Sequence, residues 1–254
     1  MKSVIVIKGG LGNQLFQYAF YKYVKQFINK NVFIDKSWYI NQNLIDTKRE
    51  FLLDKYLINT FSDNENNFSS FKKNVNSRLE NLINFLYKRN FLYKFKYYNG
   101  YWQDIFFAKY LTVNDFKNNS FEKINFLEKE YLVVHGRFSD FDNSQLHYTL
   151  DKSYYEKALE KFKYPIKIYA ISDDEERMKK ITNQLSFEIE FVKLDELNAF
   201  KLIYNAKGGV ASNSTFCWWP VYLSKNSNWV FPKFLLKKKT IYKKNLYIEN
   251  TKVI

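Results

Sequence analysis

Short apolar runs alternate with segments of helical periodicity along much of the chain, and this alternation predicts its elements. Near the N-terminus the pattern predicts a strand over Ser3–Ile7, a helix over Gln14–Asn29 and a second strand over Val32–Asp35. An irregular, mostly helical stretch then continues to about residue 99. The chain therefore begins as a strand–helix–strand unit.

Beyond residue 125 the alternation returns. Four strands alternate there with four helices, in the order Tyr131–His135, Ser153–Phe162, Ile166–Ser172, Glu175–Gln184, Phe187–Val192, Glu196–Asn205, Gly208–Ala211 and Thr215–Leu223. Such a series indicates parallel sheets covered on both faces. Two series in one chain predict an α/β fold of two Rossmann-like lobes with a cleft between them. We place the lobes at residues 1–125 and 126–254, with a C-terminal tail that can return to the first lobe.

The composition restricts the class of protein. Apolar residues make up 46% of the 254 positions, which disfavours disorder. No run of 18 apolar residues occurs, so we predict no membrane-spanning helix. The single cysteine, Cys217, excludes an intramolecular disulfide and a multi-cysteine zinc site, and it fits a reducing, cytoplasmic location.

The formal net charge of +14 is concentrated in two segments. Seven Lys/Arg and one Glu lie between Phe68 and Tyr98, and six Lys without an acid lie between Lys233 and Lys244. We expect both segments to lie away from the loops with candidate chemistry, and we therefore predict no nucleic-acid binding. Instead we predict peripheral contact of Lys/Arg in 72–96 and 233–244 with an anionic membrane. Two alternatives stay open: a helix with an ordinary solvated face, and lysine enrichment from AT-rich coding.

Ligands of open α/β sheets bind beyond the carboxyl ends of strands, so the loops after predicted strands are candidate sites. The first such loop opens a helix, where Gly10, Gly12 and Asn13 offer backbone N–H groups and a positive helix end to an anion or a sugar. The loop matches neither the GxGxxG fingerprint nor a Walker loop. A tight turn without a ligand is the alternative.

The second loop follows the strand that ends at His135. Its Arg137 can bind a phosphate bidentately with a charge that never titrates, and His135 and Asp140 can orient or polarise neighbouring groups. A surface salt bridge is the alternative interpretation.

Two further strand ends carry polar side chains. Asp173 and Asp174 can hold Mg²⁺, read the donor groups of a purine, or cap the helix that starts at Glu175. The segment Ser212–Thr215 supplies hydroxyl and amide N–H groups at another helix start, which makes it a second candidate anion site.

These loops occur with other motifs in a fixed order: GGLGNQLFQYA (Gly9–Ala19), KREFLLDK (Lys48–Lys55), GYWQ (Gly100–Gln103), HxRxxD (His135–Asp140), SDD (Ser172–Asp174) and SNSTFxWW (Ser212–Trp219). In these motifs the chain resembles the family 11 glycosyltransferases, the α-1,2-fucosyltransferases, over about residues 1–235. The resemblance implies a GT-B type fold, GDP-fucose as the donor, inversion at the anomeric carbon, and neither cofactor nor metal. It also implies an acceptor-side N-terminal lobe and a GDP-sugar-binding C-terminal lobe.

The resemblance also implies roles for individual residues. Arg137 matches the pyrophosphate-binding arginine, and Asp173 and Asp174 match the region that reads guanine. His135 and Asp140 match other fixed positions of the family. Ser212, Ser214 and Thr215 match its phosphate-contacting hydroxyls, and Asn213 is expected among the donor-binding residues. Asn13 lies in the turn that faces the donor sugar. Phe138 departs from the pattern because a second arginine is usual there, and Cys217 stands where serine is common.

The expected chemistry is electrostatic. Displacing GDP from a sugar develops negative charge on the leaving phosphate, which Arg137 and the helix start near Ser214 can stabilise without a metal. Asp140 is the first candidate to accept the proton of the acceptor hydroxyl, with His135 and Asp104 as alternatives.

We therefore expect a cytoplasmic fucosyltransferase that transfers fucose to a galactose-type hydroxyl, in α-1,2 linkage, of a glycan or a lipid-linked polysaccharide precursor such as O-antigen. The alternatives are a transferase for another GDP-sugar, a membrane-surface protein with a degenerate donor site, and a metal-dependent GT-A enzyme that uses the paired aspartates.

Overall fold

The computed structural model describes residues 2–40, 42, 48–58, 80–91, 93–125, 128–142, 144–163, 166–237 and 245–254. The chain divides into two compact units, Met1–Lys117 and Asn118–Ile254. This division lies N-terminal to the boundary predicted at 125/126. Among the described residues, no helix has the length and apolar character needed to cross a membrane.

The first unit is built around a small parallel sheet. Its elements are β1 (Ser3–Val6), α1 (Leu11–Tyr23), β2 (Val32–Asp35), α2 (Leu53–Tyr56), α3 (Glu80–Lys88), β3 (Tyr97–Tyr98) and α4 (Ile105–Ala108). The strand order is β2-β1-β3, and α1 continues into a π-helical turn over Val24–Ile28. The predicted strand–helix–strand start is confirmed, whereas β3 was not predicted.

Aromatic packing forms the core of the first unit. The ring of Trp102 lies flat on Phe20 from α1, with 3.9 Å between ring centroids and 4° between planes. Tyr98 and Phe107 meet the same Phe20 ring edge-on. Trp102 has a positive φ of 55° and no exposed surface, so its tight packing outweighs an unfavourable backbone conformation. The GYWQ segment is thus anchored to α1.

The second unit contains a six-stranded parallel sheet. Its elements are β4 (Tyr131–Gly136), α5 (Ser139–Asp142), α6 (Lys152–Leu159), β5 (Lys167–Ser172), α7 (Glu175–Thr182), β6 (Ile189–Phe191), α8 (Glu196–Asn205), β7 (Gly208–Val210), α9 (Thr215–Ser224), β8 (Trp229–Phe231) and β9 (Lys252–Val253). The strand order is β6-β5-β4-β7-β8-β9. Counted from β4, this is the 3-2-1-4-5-6 order of a Rossmann fold. The predicted alternation is confirmed, and β8 and β9 are additions to it.

The end of the chain belongs to the second unit. Strand β9 pairs in parallel with β8, with Val230 opposite Lys252 and Phe231 opposite Val253. The prediction that the C-terminal tail returns to the first lobe is therefore corrected for this segment, because its backbone extends the second sheet.

The two basic segments are only partly described. Residues 72–79 and 238–244 lie outside the described residues, so the predicted membrane contact is not tested there. Helix α3 buries Ile83 and Tyr87 and leaves Phe85 exposed, with the Arg89 guanidinium over the Phe85 ring at 4.0 Å. This described part fits an amphipathic helix that packs on its own unit.

Replacement of Trp102 tests the aromatic core. We expect Trp102→Ala to lower the free energy of unfolding by about 3–5 kcal/mol, since it removes a fully buried indole and leaves a cavity beside Phe20. Tyr101→Ala is the matched control, because Tyr101 is 40% exposed; its loss should stay below about 1 kcal/mol. Urea unfolding followed by circular dichroism measures both, and equal losses would contradict this packing.

Candidate functional site

The strand order places two of the predicted loops side by side. In a Rossmann sheet the chain reverses its direction of strand addition between the first and fourth strands, and ligands bind at the carboxyl ends there. These strands are β4 and β7, which pair directly, with Val134 opposite Val210. The loops after His135 and after Val210 therefore flank the position where this fold binds ligands.

Arg137 is held in place by two carboxylates. Its Nη2 lies 2.8 Å from Asp140 Oδ1, its Nε donates to the same oxygen at 2.9 Å, and Nε lies 3.3 Å from Asp173 Oδ2. The side chain keeps 20% exposure. The guanidinium is thus oriented by Asp140 and Asp173 and still reaches solvent beyond the sheet edge.

Asp173 also fixes the backbone of this loop. Its carboxylate accepts the N–H of Phe138 at 2.9 Å and the N–H of Ser139 at 3.2 Å. Charge-assisted bonds of this kind are stronger than neutral ones. Asp173 is therefore a support for Arg137, and its predicted contact with guanine stays a prediction.

Asp174 has a different structural role from Asp173. Its carboxylate accepts from the N–H of Arg177 at 3.0 Å and so caps α7. The two adjacent aspartates consequently serve different backbone groups. Among the described residues, no cluster of three or more His, Cys, Asp or Glu side chains is arranged to hold a metal ion.

Phe138 is fully buried in the core of the second unit, in the same cluster as Leu132 and Met178. The guanidinium of Arg177 lies over the Phe138 ring at 4.6 Å. Position 138 therefore contributes packing, and the site at the end of β4 has one arginine from this loop.

His135 is a buried, neutral residue. Its Nδ1 lies 2.8 Å from Ser212 Oγ, and only 5% of its surface is exposed. The His135 pKa is lowered to about 4, chiefly by burial; Asp173 opposes this shift and Arg137 adds to it. The geometry favours a role in joining β4 to the loop after β7 over the predicted role as a base. The Ser212 hydroxyl has the same structural role, because it is hydrogen-bonded to this imidazole.

The segment after β7 divides into buried and accessible residues. Asn213 is buried and donates its amide N–H groups to the carbonyls of Tyr148 at 2.9 Å and Leu235 at 3.2 Å. Ser214 caps α9 by accepting from the N–H of Phe216. Ser214 and the following Thr215 are only partly buried. These two hydroxyls, together with the N-terminus of α9, form the accessible part of the predicted phosphate site.

Asp104, the third candidate base, is unsuited to that role. It is 1% exposed, it caps α4 through the N–H of Phe106, and it pairs with Lys88 Nζ at 2.5 Å. Of the three candidates, Asp140 alone combines partial exposure with a position beside Arg137.

The glycine turn of the first unit depends on Gly9, the first residue of the GGLGNQLFQYA motif. Gly9 has a φ of +81°, and a Cβ there would lie 2.9 Å from the side-chain nitrogen Nδ2 of Asn13. Gly10 precedes α1 with φ of −76° and open space around it, and Gly12 is buried in the first turn. The conformational need for glycine therefore falls on Gly9.

Gln14 joins this turn to the Lys48–Lys55 motif. Its amide donates to the carbonyls of Gly9 at 2.9 Å and Glu50 at 2.7 Å, and its oxygen accepts from Leu52 N–H at 2.8 Å. Gln103 of the third motif donates to Asn13 Oδ1 at 2.8 Å. Three of the six motifs thus meet in one hydrogen-bonded group within the first unit.

Glu80 and Lys8 lie beside this group, and neither was predicted as a site residue. Glu80 accepts from the N–H groups of Tyr101 at 3.0 Å and Trp102 at 2.5 Å, and burial raises its pKa. Lys8 Nζ donates to Asn99 Oδ1 at 2.8 Å, and burial lowers the Lys8 pKa. Only the position of Lys8 directly before the glycine turn could have indicated it in advance.

A pair of glycine variants tests the turn. Gly9→Ala should lower the free energy of unfolding by about 1–2 kcal/mol, because alanine is strained at this φ and its Cβ displaces Asn13. Gly10→Ala should change it by less than about 0.5 kcal/mol. Chemical denaturation measures both values. A greater loss for Gly10→Ala than for Gly9→Ala would contradict a left-handed conformation at Gly9.

The buried imidazole of His135 predicts acid sensitivity. The folded pKa of about 4 lies below the unfolded value near 6.5, so this contribution to stability is complete above pH 6.5 and is lost as the pH falls toward 4. Between pH 7.5 and pH 5 the loss due to this group is about 2 kcal/mol. We expect His135→Gln to flatten the pH dependence of urea unfolding by this amount, and an unchanged slope would contradict the burial.

Comparisons with known proteins identify the fold and the family of the chain. The chain is 24% identical to the O-antigen biosynthesis glycosyltransferase WbnK of Escherichia coli, over 86% of this chain and 89% of the relative. Its fold is similar to crystal structures of the fucosyltransferase NodZ from Bradyrhizobium, with a TM-score of 0.59, 12% identity, and coverage of 88% of this chain and 93% of NodZ.

A NodZ α-1,6-fucosyltransferase structure co-crystallised with GDP has the same TM-score of 0.59. A NodZ structure soaked with GDP-fucose has a TM-score of 0.56 and 12% identity, and the match covers 87% of this chain and 91% of that chain. The likeness confirms the predicted α/β fold of GT-B type with Rossmann-like lobes. The sequence model described as glycosyl transferase family 11 matches residues 2–249. The chain is therefore a member of glycosyl transferase family 11.

Proposed function

We propose that the protein is an inverting fucosyltransferase that transfers L-fucose from GDP-fucose to a galactose-type hydroxyl, in α-1,2 linkage, of a glycan or a lipid-linked polysaccharide precursor. Membership of family 11 supports glycosyl transfer. The similarity to an O-antigen glycosyltransferase supports a polysaccharide acceptor, and the NodZ structures with GDP and GDP-fucose support a GDP-sugar donor.

The observation that carries the proposal is the position of Arg137 beyond β4. Asp140 and Asp173 orient its guanidinium beside the site where a Rossmann sheet binds ligands, and the N-terminus of α9 starts from the neighbouring strand end. A planar guanidinium matches the oxygens of a phosphate bidentately. The same part of the fold therefore offers a fixed cation and the N-terminus of a ten-residue helix to a diphosphate.

In the proposed reaction, the acceptor oxygen attacks the anomeric carbon of fucose on the face opposite GDP. The carbon–oxygen bond to the β-phosphate breaks, and its electron pair leaves with GDP. The proton of the acceptor hydroxyl passes to Asp140 or to solvent. Negative charge grows on the β-phosphate, where Arg137, Ser214 and Thr215 would stabilise it without a metal.

The other expected features stay predictions. They are the reading of guanine by Asp173 or Asp174, a contact of Asn13 with the donor sugar, and a cytoplasmic location with peripheral binding to anionic lipid. A transferase for another GDP-sugar is the second candidate function, because position 138 adds no second arginine beside Arg137.

Removal of Arg137 tests the proposed donor site. We expect Arg137→Ala to reduce kcat for transfer from GDP-fucose to a galactoside by about 10²–10³-fold, since a donor aimed at developing charge is lost. Arg137→Lys should recover only part of this rate, because a lysine cannot bind bidentately. Arg89→Ala is the control, because Arg89 is exposed beside Phe85.

The assay is chromatographic detection of the product and of GDP release, with GDP-fucose, GDP-mannose and UDP-sugars compared as donors. Turnover with GDP-fucose that is unaffected by Arg137→Ala would contradict the proposed role. Preference for GDP-mannose would favour the second candidate function.

A further inference from the structure

The charges around Arg137 do not by themselves favour a diphosphate. One guanidinium faces two carboxylates, those of Asp140 and Asp173, within 3.3 Å. This group is therefore net negative, while the leaving group of a nucleotide sugar carries at least two negative charges. A donor site here needs a further cation close to Arg137.

One described source of positive charge is the second basic segment, in which Lys237 is hydrogen-bonded to residues that follow α5. Asn213 donates to the carbonyl of Leu235, which fixes this segment against the loop after β7. Lys237 follows two residues later, its N–H donates to the carbonyl of Leu146 at 2.8 Å, and its Nζ donates to the carbonyl of Ser144 at 2.7 Å. The expectation that this segment lies away from the chemical loops is corrected for Lys237, because these two hydrogen bonds bring it to the loop after α5, which follows the HxRxxD motif.

His147 connects Lys237 with Arg137. The imidazole lies flat on Phe141, with 4.2 Å between ring centroids and 10° between planes, and the Arg137 guanidinium lies over the same Phe141 ring at 5.8 Å. Burial lowers the His147 pKa; Asp140 opposes this shift, and Arg137 and Lys237 add to it. Arg137, His147 and Lys237 therefore share one electrostatic neighbourhood.

The hydrogen bonds of Ser144 determine which nitrogen of His147 carries the proton. Ser144 Oγ accepts from Leu146 N–H at 3.1 Å and from His147 N–H at 3.0 Å, which occupies both of its lone pairs. Its own O–H is then directed at His147 Nδ1, 3.2 Å away. Since Nδ1 accepts, the proton of the neutral imidazole lies on Nε2, and His147 acts as a hydrogen-bond donor.

We propose that Lys237 and His147 form a second phosphate-binding element beside Arg137, which binds the diphosphate of the nucleotide-sugar donor. The inference rests on the proposed function. The ammonium of Lys237 has three N–H donors, of which Ser144 takes one, so two remain for phosphate oxygens. His147 adds the neutral Nε2–H, and Lys237 offsets the net negative charge of the Arg137 group.

The test compares the affinities of GDP and guanosine, which differ only by the diphosphate. Lys237→Gln keeps a hydrogen-bond donor for Ser144 but removes the charge, and we expect it to weaken GDP binding about tenfold and to leave guanosine binding unchanged. Lys237→Arg should stay within about threefold of the wild-type value. His147→Phe, which keeps the stack on Phe141, should weaken GDP binding about fivefold.

Lys233→Gln is the matched control from the same segment, because the Lys233 side chain is exposed and lies over Phe234. Titration calorimetry measures GDP, and ligand-observed NMR measures the weaker guanosine. Wild-type GDP affinity in Lys237→Gln, or equal losses for GDP and guanosine, would overturn the inference. If Arg137→Ala weakens GDP binding but the Lys237 and His147 variants do not, the proposed function stands and the inference about Lys237 and His147 is wrong. If the wild-type protein does not bind GDP, both the proposed function and this inference are wrong.

Discussion

The site depends on the parallel pairing of β4 with β5 and with β7. The register sets Gly136 opposite Ser172, so Asp173 emerges beside the loop that carries Arg137. From there its carboxylate accepts the N–H groups of Phe138 and Ser139 and pairs with Arg137. On the other side, pairing with β7 brings the N-terminus of α9 to the same edge. Strand register thus converts three separate sequence motifs into one site.

Polar residues of the same type or in the same segment differ in burial, and this difference determines whether they support the structure or can meet a ligand. His135 and His147 both lie near the end of β4, but His135 is enclosed against Ser212 and stays neutral, whereas His147 is only partly buried above Phe141. Likewise Asn213 is used to join loops, while its neighbours Ser214 and Thr215 stay accessible. The side chains that can contact a ligand are those that the fold leaves partly exposed.

Much of the fold could be predicted from the sequence because the second unit repeats a simple pattern. The helix Glu196–Asn205 was predicted with its observed bounds, since Asp195 provides a cap and the helix has a clear apolar face. Strands β3 and β9 were missed because two residues give no periodicity, and only pairing makes them strands. Arg137 was found through its motif. The roles of Gly9 and Lys237 were not predicted, because a positive φ and a tertiary hydrogen bond leave no local pattern.

The central claim is that the edge of the sheet between β4 and β7 binds the diphosphate of a GDP-sugar. A crystal structure of the protein with GDP tests this most directly. We predict that the β-phosphate lies within hydrogen-bonding distance of the Arg137 guanidinium and of the first N–H groups of α9. GDP bound elsewhere in the molecule, with Arg137 still paired only to Asp140 and Asp173, would contradict the claim.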